Sequence, residues 1–189
     1  MGRIRWEIHP MAALLLALWY FFDEQGTVAA LAPAAAVHEL GHTVALSLFH
    51  APVTRLSLGM FGLRMDYRAA LTDGQTAICA VAGPAAGALW ALAAWEIGGA
   101  FFRLSAILSL GLTLFNLLPV FPLDGGRILE ALAGRKWAGR ISWVVAATAA
   151  LCGAALLGRF GLMAPPAMGL WLLFCQWRRV GARLTDVVS

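Results

Sequence analysis

Ala35-Ala36-Val37-His38-Glu39-Leu40-Gly41-His42-Thr43-Val44 lies inside an apolar run from Gly26 to Phe49, and its reading decides the fold. The run is long enough to cross a bilayer. His-Glu-x-x-His on a helix sets two histidines ~40° apart around the axis and ~6 Å along it. Both imidazoles then reach one tetrahedral metal, and the glutamate between them is placed as a general base. The flanking residues are Ala, Leu, Val and Pro, whereas a soluble helix with this motif would alternate polar and apolar faces. A charge at mid-bilayer costs ~2.5–3.5 kcal/mol on insertion scales, so an ionisable cluster there signals function. The expectation is an intramembrane zinc site of the protease kind.

Composition agrees with that setting. Of the 189 residues, 61% are hydrophobic and 13% charged, about half the charged share of a soluble domain. An integral membrane protein is expected. The formal charge of +4 does not point to nucleic acid, because the basic residues are scattered and are expected in short interhelical loops. Cys79, Cys152 and Cys175 have no CxxC spacing and fall in apolar runs. They read as small hydrophobes and exclude a disulfide framework. Arg3 and Arg5 before Met11–Phe22 resemble a signal peptide, but Asp23, Glu24 and Gln25 follow where a small-x-small cleavage site belongs. An uncleaved first span is the reading.

The chain is read as an all-α polytopic membrane protein of about six transmembrane helices. The expected spans are Ile8–Phe22, Thr27–Phe49, Gly74–Ile97, Ala100–Leu118, Ile141–Leu157 and Leu162–Trp177. Arg3, Arg5, Arg55, Arg64, Arg68, Arg127, Arg135, Lys136, Arg140, Arg178, Arg179 and Arg183 fall at one set of ends. Only Arg103 and Arg159 fall at the other. The positive-inside rule therefore places both termini in the cytoplasm. His42 then lies about seven residues, or ~10 Å, from the cytoplasmic end of its span, so the site faces the cytoplasm.

Val53–Tyr67 has a different texture. Leu56, Leu58 and Met60 alternate with smaller or polar residues, and Leu63, Met65 and Tyr67 alternate again after Phe61-Gly62. A small membrane-associated β-hairpin between the second and third spans fits, and so does an amphipathic loop. A hairpin edge would hold an extended substrate by strand addition.

A catalytic zinc takes three protein ligands and keeps one open position. His9 precedes Pro10 at the start of the first span, and His50 is ~12 Å along the helix from His42; neither is well placed. Asp124 is the better candidate, in Asn116-Leu117-Leu118-Pro119-Val120-Phe121-Pro122-Leu123-Asp124-Gly125-Gly126. Two prolines and two glycines interrupt the helix there. Broken backbone at membrane depth is tolerated only where protein buries it or water reaches it. The break also falls at the cytoplasmic end of its span, the depth expected of His42. Asn116 fits either as a donor to a scissile carbonyl or its oxyanion, or as a partner for backbone freed by the prolines. Gly83, Pro84 and Gly87 form a small-residue face suited to packing near the metal-bearing helix. Gly98 and Gly99 suit packing within a chain or between chains alike.

In combination, His38–His42, Ala82-Gly83-Pro84 and Asn116 through Gly126 resemble the site-2 protease family of intramembrane metalloproteases. The resemblance runs from about residue 30 to 130, and within the family it is nearest the bacterial sporulation branch. It implies one catalytic Zn2+ held by His38, His42 and Asp124, with Glu39 activating water. It also implies a membrane-associated protein substrate, in that branch the pro-segment of a sigma-factor precursor, and an inhibitory membrane protein as partner. The chain is read as a single transmembrane metalloprotease domain, residues 1–189, with its catalytic core at about 27–130 and no PDZ or CBS domain. Two other readings compete: a non-catalytic interaction or chaperone-like relative, and a metal transporter, whose internal repeats and continuous polar path are not visible here.

Overall fold

The computed structural model describes residues 5–59, 62–67 and 69–188. The chain divides into two compact units, Met1–Phe115 and Asn116–Ser189.

The first unit holds strand β1 (Arg5–Ile8), helices α1 (Pro10–Phe22) and α2 (Thr27–Leu48), strands β2 (Val53–Gly59) and β3 (Gly62–Tyr67), and helices α3 (Asp73–Ile97) and α4 (Gly99–Asn116), the last ending one residue past the boundary. Pro10 suits the first turn of α1, where its missing N–H has no helical partner to lose. The Asp23 carboxylate accepts the Val28 backbone N–H at 2.6 Å and so ties down the first turn of α2. That bond holds the Asp23 carboxyl below its usual range. Thr72 and Gln75 exchange side-chain and backbone hydrogen bonds at the start of α3, a reciprocal cap that satisfies two otherwise orphaned donors.

The strands form one sheet in the order β1-β2-β3, with β1 parallel and β3 antiparallel to β2. A register shift between Val53 and Arg55 lets Val53 and Leu56, three residues apart, face the same buried side. That side packs with Ala45, Leu46, Ala51 and Cys79, flanked by Phe49, Met65, Leu71 and Ala82. The sheet is thereby seated on the C-terminal end of α2 and the N-terminal part of α3. Further along, α3 and α4 are joined by buried hydroxyls: Trp90 Nε1 donates to Ser105 Oγ at 3.0 Å, and Ser109 Oγ donates to the Gly87 carbonyl at 2.8 Å.

The second unit contains the Leu117–Leu123 loop, helix α5 (Asp124–Phe160) and helix α6 (Ala164–Val188). Gly134 (φ 78°) breaks α5 into two helical pieces. Ala138, Ser142, Ala146 and Gly153 form a buried stripe of small residues on α5. Close approach explains the glycines: a Cβ at Gly153 would meet the Pro165–Pro166 backbone, and one at Gly169 the backbone of Ala149 and Ala150.

A helix stands at each of the six expected segments. Among the described residues, α3, α4 and α5 are long and apolar enough to cross a membrane, and α1 is apolar but shorter. The expected hairpin is present as antiparallel β2 and β3 but is extended by a further strand, and three other expectations need correction. The hairpin is part of a three-stranded sheet, because β1 adds to β2 from the chain's start; the Met60-Phe61 part of its expected turn lies outside the described residues. The fourth helix stops at Asn116, not Leu118, since Pro119 disfavours helical backbone at the residue before it. The fifth and sixth helices start at Asp124 and end at Val188, well beyond the apolar cores read as spans. Finally, Arg127, Arg135, Lys136, Arg140, Arg178 and Arg179 lie on helices and Arg55 on a strand, not in loops. Long basic side chains are good helix formers, and hydropathy alone does not mark where such a helix stops.

Candidate metal centre

His38 and His42 lie one turn apart on α2, His38 buried and His42 partly so. Their Nε2 atoms are 3.2 Å apart, and the rings meet edge to face with centroids 4.9 Å apart. Two nitrogens bound tetrahedrally at ~2.0–2.1 Å from zinc stand ~3.3 Å from each other. The pair therefore already has the spacing of one edge of a zinc tetrahedron. Ring orientation is fixed from behind: His42 Nδ1 lies 2.8 Å from the Cys79 carbonyl on α3. A carbonyl only accepts, so Nδ1 carries a proton, and the neutral ring then presents its Nε2 lone pair, the tautomer a metal needs. Glu39 follows His38 directly on the same helix. Thr43 Oγ1, one turn on, donates to the Glu39 carbonyl at 2.9 Å.

Glycines let α3 come this close. A Cβ at Gly41 would run into the Ala82 backbone and come within 2.7 Å of the Ala86 methyl. A Cβ at Gly83 would overlap the His42 imidazole itself. At Gly87 the nearest atoms to a Cβ would be Thr113 Oγ1 at 2.6 Å and His38 Nδ1 at 3.6 Å. Pro84 lacks the N–H that would bond the Ala80 carbonyl, which loosens the helix beside the Cys79 carbonyl that His42 uses. A Gly83→Ala protein is expected to push His42 off that carbonyl and bind zinc ~10–100-fold more weakly, the usual range for disturbing a ligand's support. Gly111→Ala, which meets nothing within 4 Å, is expected to match wild type in the same chelator competition.

In the second unit, Asp124 is buried and is the first residue of α5. A carboxylate there is favoured by the unsatisfied N–H groups of the first turn. The two glycines that follow it are required by backbone approach. A Cβ at Gly125 would strike the Leu117 and Leu118 carbonyls, and one at Gly126 the Val120–Phe121 backbone. The loop folds back under the helix start, and Asn116, half-buried at the end of α4, stands at the loop's other end. His9 and His50 are placed elsewhere. The His9 N–H donates to the Leu58 carbonyl at 2.9 Å and extends the sheet. His50 takes a left-handed conformation (φ 56°) just past α2.

Residues 69–157 match the model of peptidase family M50. That stretch, just under half of the chain, is similar to the M50 peptidases. The matched M50 stretch contains Gly83, Pro84, Gly87, Asn116 and Asp124, and begins after His38–His42. Stage IV sporulation protein FB of Bacillus subtilis is 25% identical over 177 residues, 89% of this chain and 62% of that protein. A candidate zinc metalloprotease of Synechocystis is 32% identical over 105 residues, 50% of this chain and 28% of its own length. The chain thus spans less than two thirds of either curated relative. The site-2 protease from Methanocaldococcus jannaschii has the same fold, with a TM-score of 0.70 at 22% identity over 94% of this chain and 91% of that one. Two groups near the histidine pair, the Cys79 carbonyl and the Thr113 hydroxyl, escape sequence reading. The Cys79 group is a backbone carbonyl and leaves no trace in residue type. Thr113 did leave one: Ser105, Ser109 and Thr113 recur every four residues along α4, a buried polar stripe.

Proposed function

We propose that the chain is a zinc metalloprotease of the site-2 type that cuts a peptide bond in the membrane-associated segment of a protein. The observation that carries this reading is the His38–His42 pair, with Nε2 atoms 3.2 Å apart and Glu39 in the same turn. Asp124 completes the ligand set, and the two imidazoles with one carboxylate suit zinc. Zinc held there supplies a Lewis acid for the scissile carbonyl and lowers the pKa of a water to near 7. Glu39 takes the proton of the attacking water and passes it to the departing amide nitrogen, so the C–N bond breaks to a carboxylate and an amine. Asn116 donates to the carbonyl oxygen as charge develops on it.

Six membrane crossings, both termini in the cytoplasm and a cytoplasm-facing site complete the reading, supported by six helices among the described residues and by the one-sided placement of Lys and Arg. A peptide must be extended to be cut. Among the described residues β2 is paired on both sides and β3 is the hairpin's edge strand, the one to which such a segment would add. The likeness to stage IV sporulation protein FB favours a sigma-factor precursor as substrate, with an inhibitory membrane protein as regulator. Co-expression with such a precursor in a heterologous bacterium tests this. The precursor is expected to shorten on a gel with the wild-type chain and to stay full length with Glu39→Gln. A precursor left intact by both refutes the substrate assignment.

A further inference from the structure

Between Pro119 and Leu123 only Val120, Phe121 and Leu123 have backbone N–H groups, and two of these stay local. Val120 donates to the Leu118 carbonyl and Leu123 to the Val120 carbonyl. Phe121 is instead tied to both α5 and α6, and it is tied three times. Its N–H donates to Ser142 Oγ on α5 at 3.3 Å, and its carbonyl accepts from Gln176 Nε2 on α6. The Arg179 guanidinium lies over its ring, 4.2 Å from the centroid. Arg179 is itself ion-paired with Glu130, which also accepts from Arg135 Nε at 3.1 Å.

These polar groups sit where apolar ones would pack more cheaply. Gln176 is 2% exposed and Ser142 fully buried, in a seam of small residues and Leu172. A buried amide or hydroxyl is unfavourable unless it is bonded. What the bonds add is direction: they fix the peptide planes on both sides of a residue whose neighbour, Pro122, has no donor of its own. Phe121 is three residues before Asp124, and the intervening Leu123 is buried.

The geometry points to Gln176 and Arg179, with Ser142, as positioning residues that hold the Asp124 loop from the last helix through Phe121. The inference rests on Asp124 being a zinc ligand. None of the three touches the reacting atoms. Their effect is on how tightly the carboxylate is held in place.

The test uses the purified full chain as wild type, Gln176→Leu, Arg179→Lys, Ser142→Ala and Asp124→Ala. Each is measured for zinc affinity by chelator competition, for the visible spectrum of bound Co2+, and for Tm. Gln176→Leu fills the same space without the bond. It is expected to lower zinc affinity ~10–100-fold, the range typical of outer-sphere supports, and to alter the Co2+ spectrum with little change in Tm. Arg179→Lys keeps the charge toward Glu130 but loses the planar stack on Phe121, and a smaller shift in the same direction is expected. Wild-type affinity and an unchanged Co2+ spectrum in both variants overturn the inference. If Gln176→Leu fails to fold, Arg179→Lys and Ser142→Ala decide by the same two readouts. If Asp124→Ala itself leaves zinc affinity unchanged, the ligand reading fails instead, and this result is distinct from the first.

Discussion

Replacing Glu39 by glutamine is expected to leave the metal bound and to remove cleavage. Glutamine has nearly the same shape, so α2 keeps its packing and His38 and His42 keep their 3.2 Å spacing. The amide cannot take a proton from water at neutral pH. General acid–base catalysis by a positioned group contributes ~10²–10⁴-fold, and a loss of that order is expected in the rate of precursor cleavage. Zinc content per chain is expected to match wild type. Parallel metal analysis and gel quantification check both halves, and undiminished cleavage by the variant would sink the role given to Glu39.

Asp124→Ala is expected to fail differently, losing zinc and cleavage together. Disturbing only the support of a ligand costs ~10–100-fold in metal affinity, and removing the ligand itself is expected to cost more. The same substitution also removes an acidic group from the first turn of α5. That contribution is only ~0.3–1 kcal/mol, too small to unfold a helix pair packed along its length. Loss of metal with an unchanged Tm therefore reads as loss of a ligand. A variant that retains wild-type zinc affinity would remove Asp124 from the set.

Both predictions come from residues that could be read without coordinates, and the reason is local. His38, Glu39 and His42 share one turn, so helix geometry alone relates them, and Asp124 stands out through the prolines and glycines around it. The helices were legible as apolar runs. Their ends were not, because residues such as Arg135 and Arg140 continue a helix after hydropathy has fallen. Strand β1 escaped because four exposed residues, Arg5–Ile8, carry too little pattern, and their pairing partner is some fifty residues away. The Cys79 carbonyl was invisible since any residue could supply it. Arg179 reads only as a charge at the end of the last expected span, and Gln176 inside that span draws no reading, because their partner, Phe121, comes close only once α6 packs on α5.

Metal stoichiometry tests the central claim most directly and does not depend on knowing the substrate. Purified wild type, Glu39→Gln and His42→Ala would be equilibrated with zinc, freed of excess by dialysis, and assayed for metal and protein. One zinc per chain in the first two and none in the third is the predicted result. A wild-type chain without zinc, or a His42→Ala chain that keeps it, would contradict the metal centre proposed on α2.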